Sequence, residues 1–163
     1  MKKTVLKALG VAGVVLASAS PAYAQSATGD ASVKILTAIT VTKSSDLYFG
    51  KVLASASAAT VDIAENGART CGSGLSCYDT ATAGAFNVTG SAGETVTVAI
   101  DNPNISLSDG QGNSMDVALS TSTSTLTLAG GAGSFNIAGS LSVGANQAAG
   151  DYAGQYSVSV DYQ

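Results

Sequence analysis

The chain has no histidine and no tryptophan, only two prolines and two cysteines, and seven basic residues in 163. Each shortage excludes something. Without histidine, the many serine and threonine hydroxyls lack the usual base that would make one of them a nucleophile. Two thiols with no imidazole make a poor zinc site. Glu65 and Glu94 sit beside turns, where carboxylates are normally solvated, and no Ser-Lys motif is recognisable. An enzyme is therefore not expected, and neither is a cofactor. No window beyond the N-terminal region repeats its apolar residues with a period of 3.6, which excludes a helical bundle.

The basic residues are scarcer still once the N-terminus is set aside. Lys2, Lys3 and Lys7 form a positive start, Ala8 to Ala19 is apolar but short for a bilayer span, and Ser20-Pro21 breaks the run. Ala22-Tyr23-Ala24 has the small-x-small pattern of a cleavage site. Residues 1–24 are thus expected to be an export signal and 25–163 a single domain with no membrane span after cleavage, 163 − 24 = 139 residues long. That domain keeps four basic residues, Lys34, Lys43, Lys51 and Arg69, against eleven acidic ones, a net charge of 4 − 11 = −7. Such a surface is unsuited to nucleic acid or anionic lipid.

Cys71 and Cys77 flank Gly-Ser-Gly-Leu-Ser. An even count in an exported chain predicts a disulfide. Closing so small a loop contributes about 2–3 kcal/mol in the chain-entropy account. A redox role would favour the tighter Cys-x-x-Cys spacing.

What the chain has in abundance is alanine, glycine, serine, threonine and valine, arranged in short alternating runs between glycine and Asn/Asp clusters. Strands are expected at Ala31–Val41, Leu47–Leu53, Thr60–Ala64, Ala85–Thr89, Thr95–Ile100, Met115–Leu119, Thr125–Ala129, Ser134–Val143 and Tyr152–Tyr162. About nine half-apolar strands at this spacing predict two packed antiparallel sheets, an all-β sandwich of immunoglobulin-like type. The connectors carry turn chemistry, as in Glu65-Asn66-Gly67 and Ser91-Ala92-Gly93. Cys71 to Ala83 reads as a longer insertion pinned by the disulfide. Asp109 to Asp116 resembles a calcium loop only superficially. It has Ser114 where glycine is needed and Ser120 where a bidentate glutamate is needed, so a plain hairpin turn is expected. Gly130 to Gly133 lacks the spacing and the lysine of a phosphate cradle. Nine aromatics, one of them in the leader, are too few for the girdles of an outer-membrane barrel.

The final strand is the cleanest signal. Tyr152, Gly154, Tyr156, Val158, Val160 and Tyr162 alternate with Ala153, Gln155, Ser157, Ser159 and Asp161. The tyrosines and valines are expected to form its core face, a role that suits Tyr152, Tyr156 and Tyr162 better than a sugar-binding platform. Only Gln163 follows in the sequence, which leaves the strand's flank without an obvious cover.

Three blocks carry a resemblance. Asp46-Leu47-Tyr48-Phe49-Gly50 resembles the Leu-x-Phe-Gly signature of spore-coat-U-type pilins and of the bacterial domain of unknown function 4402. Ala85-Phe86-Asn87-Val88-Thr89-Gly90 with Gly93 resembles the second block of that family. Gly139 to Val143 with Ala149 to Tyr162 resembles its closing block, and the Gly-x-Tyr ending is also similar to that of chaperone–usher pilins. The resemblance spans Ala31 to Tyr162; the Cys71–Cys77 insertion departs from it. It implies a pilin-like sandwich lacking one strand. Such a protein would be a structural subunit of a fimbria on a Gram-negative surface, serving adhesion or biofilm. The missing strand would be supplied by the N-terminal extension of a like subunit. A periplasmic chaperone and an outer-membrane usher would be the further partners. Ala31, Val33, Ile35 and Thr37, apolar or small and free of proline, are the candidate donor strand. The alternative is a self-contained periplasmic or surface domain whose own first strand is Ala31–Val41.

Overall fold

The computed structural model describes residues 23–163. The expected leader therefore lies outside the described residues except for Tyr23 and Ala24. The chain divides into a unit ending at Lys34 and a second unit, Ile35–Gln163. In the first, residues 23–34 are exposed and form neither helix nor strand.

The second unit is all β and antiparallel. Its strands are β1 (Thr40–Ser45), β2 (Lys51–Leu53), β3 (Ala59–Ile63), β4 (Arg69–Cys71), β5 (Ser76–Tyr78), β6 (Gly84–Thr89), β7 (Thr95–Ile100), β8 (Asn104–Ser108), β9 (Ser114–Ser120), β10 (Thr125–Thr127), β11 (Ala132–Val143) and β12 (Val158–Tyr162). The long β11 organises the larger sheet. Its first half pairs with β6, from Ala132↔Thr89 to Ile137↔Gly84, and β6 carries β1 on its far edge. Its second half is flanked by β3 and β9, which in turn carry β4 and β8. A second sheet has the order β10-β7-β12, and β2 pairs with β5 as a separate ribbon.

The two sheets share one core. Val61, Ile63, Val88, Val117, Phe135, Ile137 and Leu141 come from the larger sheet, and Val96 and Val98 from the smaller. The period-2 pattern explains the choice. In β11 the residues Phe135, Ile137, Gly139, Leu141 and Val143 are all buried while Ser134, Asn136 and Ser142 are exposed. An antiparallel sandwich needs only one apolar face per strand, and this is the fold class expected from the alternation.

Strand boundaries differ from expectation in informative ways. The first strand does not cover Ala31–Val41; it begins at Thr40, where β6 first offers a partner at Thr89. The last begins at Val158, preceded by a single bridge between Ala153 and Ser108. Inside Leu47–Leu53 only Lys51–Leu53 is strand. Gly50 breaks the run with φ +80°, and a Cβ there would lie 2.1 Å from Arg69 Nη1 and 2.6 Å from the Tyr78 carbonyl oxygen. Three strands went unanticipated: β8, hidden behind Asn102-Pro103, and β4 and β5, both within or beside the cysteine insertion.

Gly50→Ala is expected to cost about 1–3 kcal/mol from the strained φ alone, with crowding against the Tyr78 carbonyl adding to it. Urea denaturation of the variant beside the parent measures the loss.

Candidate functional site

The Leu-x-Phe-Gly run builds one wall of an open groove. Leu47 is half-buried and Phe49 buried, and both lie over Gly139 of β11. A Cβ at position 139 would sit 2.8 Å from Leu47 Cδ2 and 3.0 Å from Phe49 Cζ, so the glycine makes room for the two anchors. Beyond them the β2–β5 ribbon is held from three sides. The Cys71–Cys77 disulfide joins β4 to β5. The Arg69 guanidinium donates to the carbonyl oxygens of Phe49 (2.9 Å), Tyr78 (3.0 Å) and Asp79 (2.9 Å). Lys51 Nζ lies 3.0 Å from Asp79 Oδ2 on the exposed side.

The opposite wall is residues 146–156. Tyr152 does not share a core face with the final strand as expected. It lies outside β12, where its hydroxyl donates to the Ala148 carbonyl (2.9 Å) and accepts from Gln147 Nε2 (2.9 Å), closing the loop after β11. Tyr156, Val158, Val160 and Tyr162 do pack on the core. Between the walls is a cavity of about 900 Å³ floored by Ile105, Leu107, Met115, Val117, Leu141 and Val143. Its walls and floor are largely apolar, and it opens to solvent.

The backbone of the final strand is paired along one edge only among the described residues. The Gln163 amide donates to Thr95 O (3.2 Å), and the Asp101 amide donates to Ser157 O (3.1 Å). Bonded and non-bonded pairs alternate in an antiparallel ladder. The odd residues of the final segment therefore turn their amides and carbonyls toward β7. Those of Val158, Val160 and Tyr162 face the other way, and among the described residues no strand pairs with them. On its far side the β12 segment meets the chain between Thr37 and Asp46 at two points. The two runs are antiparallel: Thr37 meets Tyr162 at one end, and Asp46 lies near Tyr156 at the other.

Tyr156 spans the groove's inner end. Its ring meets Phe86 edge-on at 6.1 Å, and Phe86 stacks on Phe135 at 5.4 Å. Its hydroxyl is buried without a hydrogen-bond partner among the described residues. Burial, and secondarily the Asp46 carboxylate, raises the phenol above the ordinary tyrosine range.

The candidate donor residues lie outside this construction. Ala31, Val33, Ile35 and Thr37 are exposed and belong to no strand, with Val33 and Ile35 83% and 85% accessible. The disulfide pair is formed as expected. The Asp109 carboxylate accepts from the amides of Gln111 (2.8 Å) and Asn113 (3.0 Å) and so shapes the β8–β9 turn. Ser140 donates to Asp62 across the face of β11 and β3. Of the groove floor, Met115, Val117, Leu141 and Val143 lie in strands expected from the sequence, whereas Ile105 and Leu107 were missed, although the alternation Ile105-x-Leu107 could have revealed β8.

These features define an all-β, disulfide-bonded sandwich with an apolar groove and, among the described residues, a final strand that is paired along one edge only. Residues 39–162 match the family described as a domain of unknown function (DUF4402), and the chain belongs to that family. No curated protein and no solved structure matches the chain. Among the described residues no helix is long and apolar enough to cross a membrane.

Tyr156→Phe removes an unsatisfied buried hydroxyl and is expected to leave stability unchanged or raise it by up to about 1 kcal/mol. In the parent the native state holds the phenol proton more tightly than the unfolded chain. The stability associated with it is complete below the ordinary tyrosine pKa of about 10 and declines as pH rises through the raised value. Absorbance at 295 nm against pH checks this: the latest phenolate to form is absent from the Phe variant.

Proposed function

We propose that this chain is an exported structural subunit of a surface fibre, and that the groove receives the N-terminal arm of a second copy by β-strand addition. The observation that carries the reading is the pairing of two incomplete parts in one chain: an apolar groove that reaches Tyr156, two residues ahead of a β12 edge with no partner strand among the described residues, and an exposed arm bearing Ala31, Val33 and Ile35 at alternate positions. An unpaired edge beside an apolar groove invites another strand. Exposed valine and isoleucine gain by burial about 25 cal/mol per Å² of apolar surface. An extended arm offers both remedies at once, with its backbone completing the β10-β7-β12 sheet and its alternate side chains filling the groove.

A subunit whose groove is unfilled needs a temporary occupant, which a periplasmic chaperone would provide before an outer-membrane usher exchanges it for the next arm. The disulfide fits such a route, since it forms in oxidising compartments. On this reading the fibre stands on a Gram-negative cell surface and serves adhesion or biofilm.

Deleting Gln25 to Leu36 from the exported chain is expected to leave a folded domain that accepts an arm but donates none. In the native host the parent is expected to form a ladder of species resistant to cold SDS, and the deletion variant none. A ladder from the deletion variant would sink the proposal. A parent that light scattering finds only as a monomer, with no ladder, would instead favour a self-contained domain.

A further inference from the structure

Thr37 is held to the domain body through both of its backbone groups. Its amide donates to Ser91 Oγ at 2.7 Å, and its carbonyl accepts from the Tyr162 hydroxyl at 2.7 Å. The two holders are themselves joined, since the Ser91 amide donates to the Tyr162 hydroxyl at 2.6 Å. The Thr37 side chain is not part of this triangle, and the residue is exposed. Two residues later Ile39 packs against the core, and β1 begins at Thr40. Two residues earlier Ile35 is 85% accessible. The change from exposed arm to anchored chain falls at this triangle.

We infer that Tyr162 and Ser91 form a clasp that keeps Thr37 on its own domain, so that the strand handed to a second copy ends at Leu36. The inference rests on the strand-addition reading and narrows it. The alternation alone places Thr37 with Ala31, Val33 and Ile35 on the inserted face. The clasp removes it, because an amide has one bond to give and that of Thr37 is already given to Ser91. The arm loses nothing it needs. Residues 25–36 fully extended reach roughly 40 Å, about twice the length of an ordinary strand.

The same residue gives the clasp a second consequence. Tyr162 ends β12, whose outer edge is the one left open for an incoming strand. One strand therefore carries both the edge that receives a neighbour's arm and the hydroxyl that fixes the root of its own. With the root fixed, little slack separates one subunit's body from the next subunit's groove.

Full-length variants expressed in the native host test this. The double variant Val33→Lys/Ile35→Lys is expected to abolish the SDS-resistant ladder. Thr37→Lys should leave it within about twofold of the parent, as a surface substitution would. Hydrogen exchange reads the clasp directly: Ser91→Ala and Tyr162→Phe should each speed exchange at the Thr37 amide by roughly tenfold or more, and Ser91→Thr should restore protection. A Thr37→Lys variant that fails to assemble while still folded would overturn the inference, because Thr37 would then lie in the neighbour's groove. Unchanged exchange in both clasp variants would overturn it as well. A Val33→Lys/Ile35→Lys variant that assembles normally would instead overturn strand addition by this arm.

Discussion

The backbone along the outer edge of β12 sets the terms for the rest of the molecule. A strand in a sandwich has two edges, and β7 satisfies only one of them. Most folds close the other with a further strand, a bulge or a covering loop. Near it lies the groove, which reaches Tyr156 and whose floor comes from β8, β9 and β11. The apolar side chains of β12, Val158, Val160 and Tyr162, are committed to the core. The strand is therefore held in place while, among the described residues, no strand pairs with its outer edge, and on the proposed reading a second copy supplies that partner.

The wall opposite that edge is built to stay where it is. Leu47 and Phe49 are pinned over Gly139, Gly50 turns the chain where a side chain would strike Arg69, and Arg69 gathers three carbonyls from two segments. Hydrogen bonds from a charged donor are stronger than neutral ones, and these tie the β2–β5 ribbon to β4. The disulfide makes the same connection covalently. The insertion that departs from the family resemblance is, physically, the brace of the groove's rim.

Much of this was legible in the sequence, for reasons that can be stated residue by residue. Alternation marked β6, β7, β9 and β11 because each buries one face against the same core, and the turn glycines and asparagines separated them. Alternation misled at Ala31–Val41 because it records which side chains could share a face and says nothing of whether a partner strand exists. Only from Thr40 onward does β6 supply one. It misled again at Tyr152, whose spacing matched Tyr156 and Val158. Its hydroxyl is engaged by a local loop through Ala148 and Gln147. The groove itself was invisible because its floor is assembled from residues such as Ile105, Met115 and Leu141 that only the fold brings together.

The Tyr162 hydroxyl joins the last strand to Thr37, three residues ahead of the first. A phenol buried at its base and polar at its tip suits such a place. Its ring adds to the core while its oxygen serves as donor to Thr37 and acceptor from Ser91. The oxygen thereby fixes the chain at Thr37 to the last strand. If, as proposed, the arm leaves one body and completes another, it changes owners at a definite residue, and a hydrogen-bonded triangle at Thr37 defines that residue more sharply than the hydrophobic alternation does.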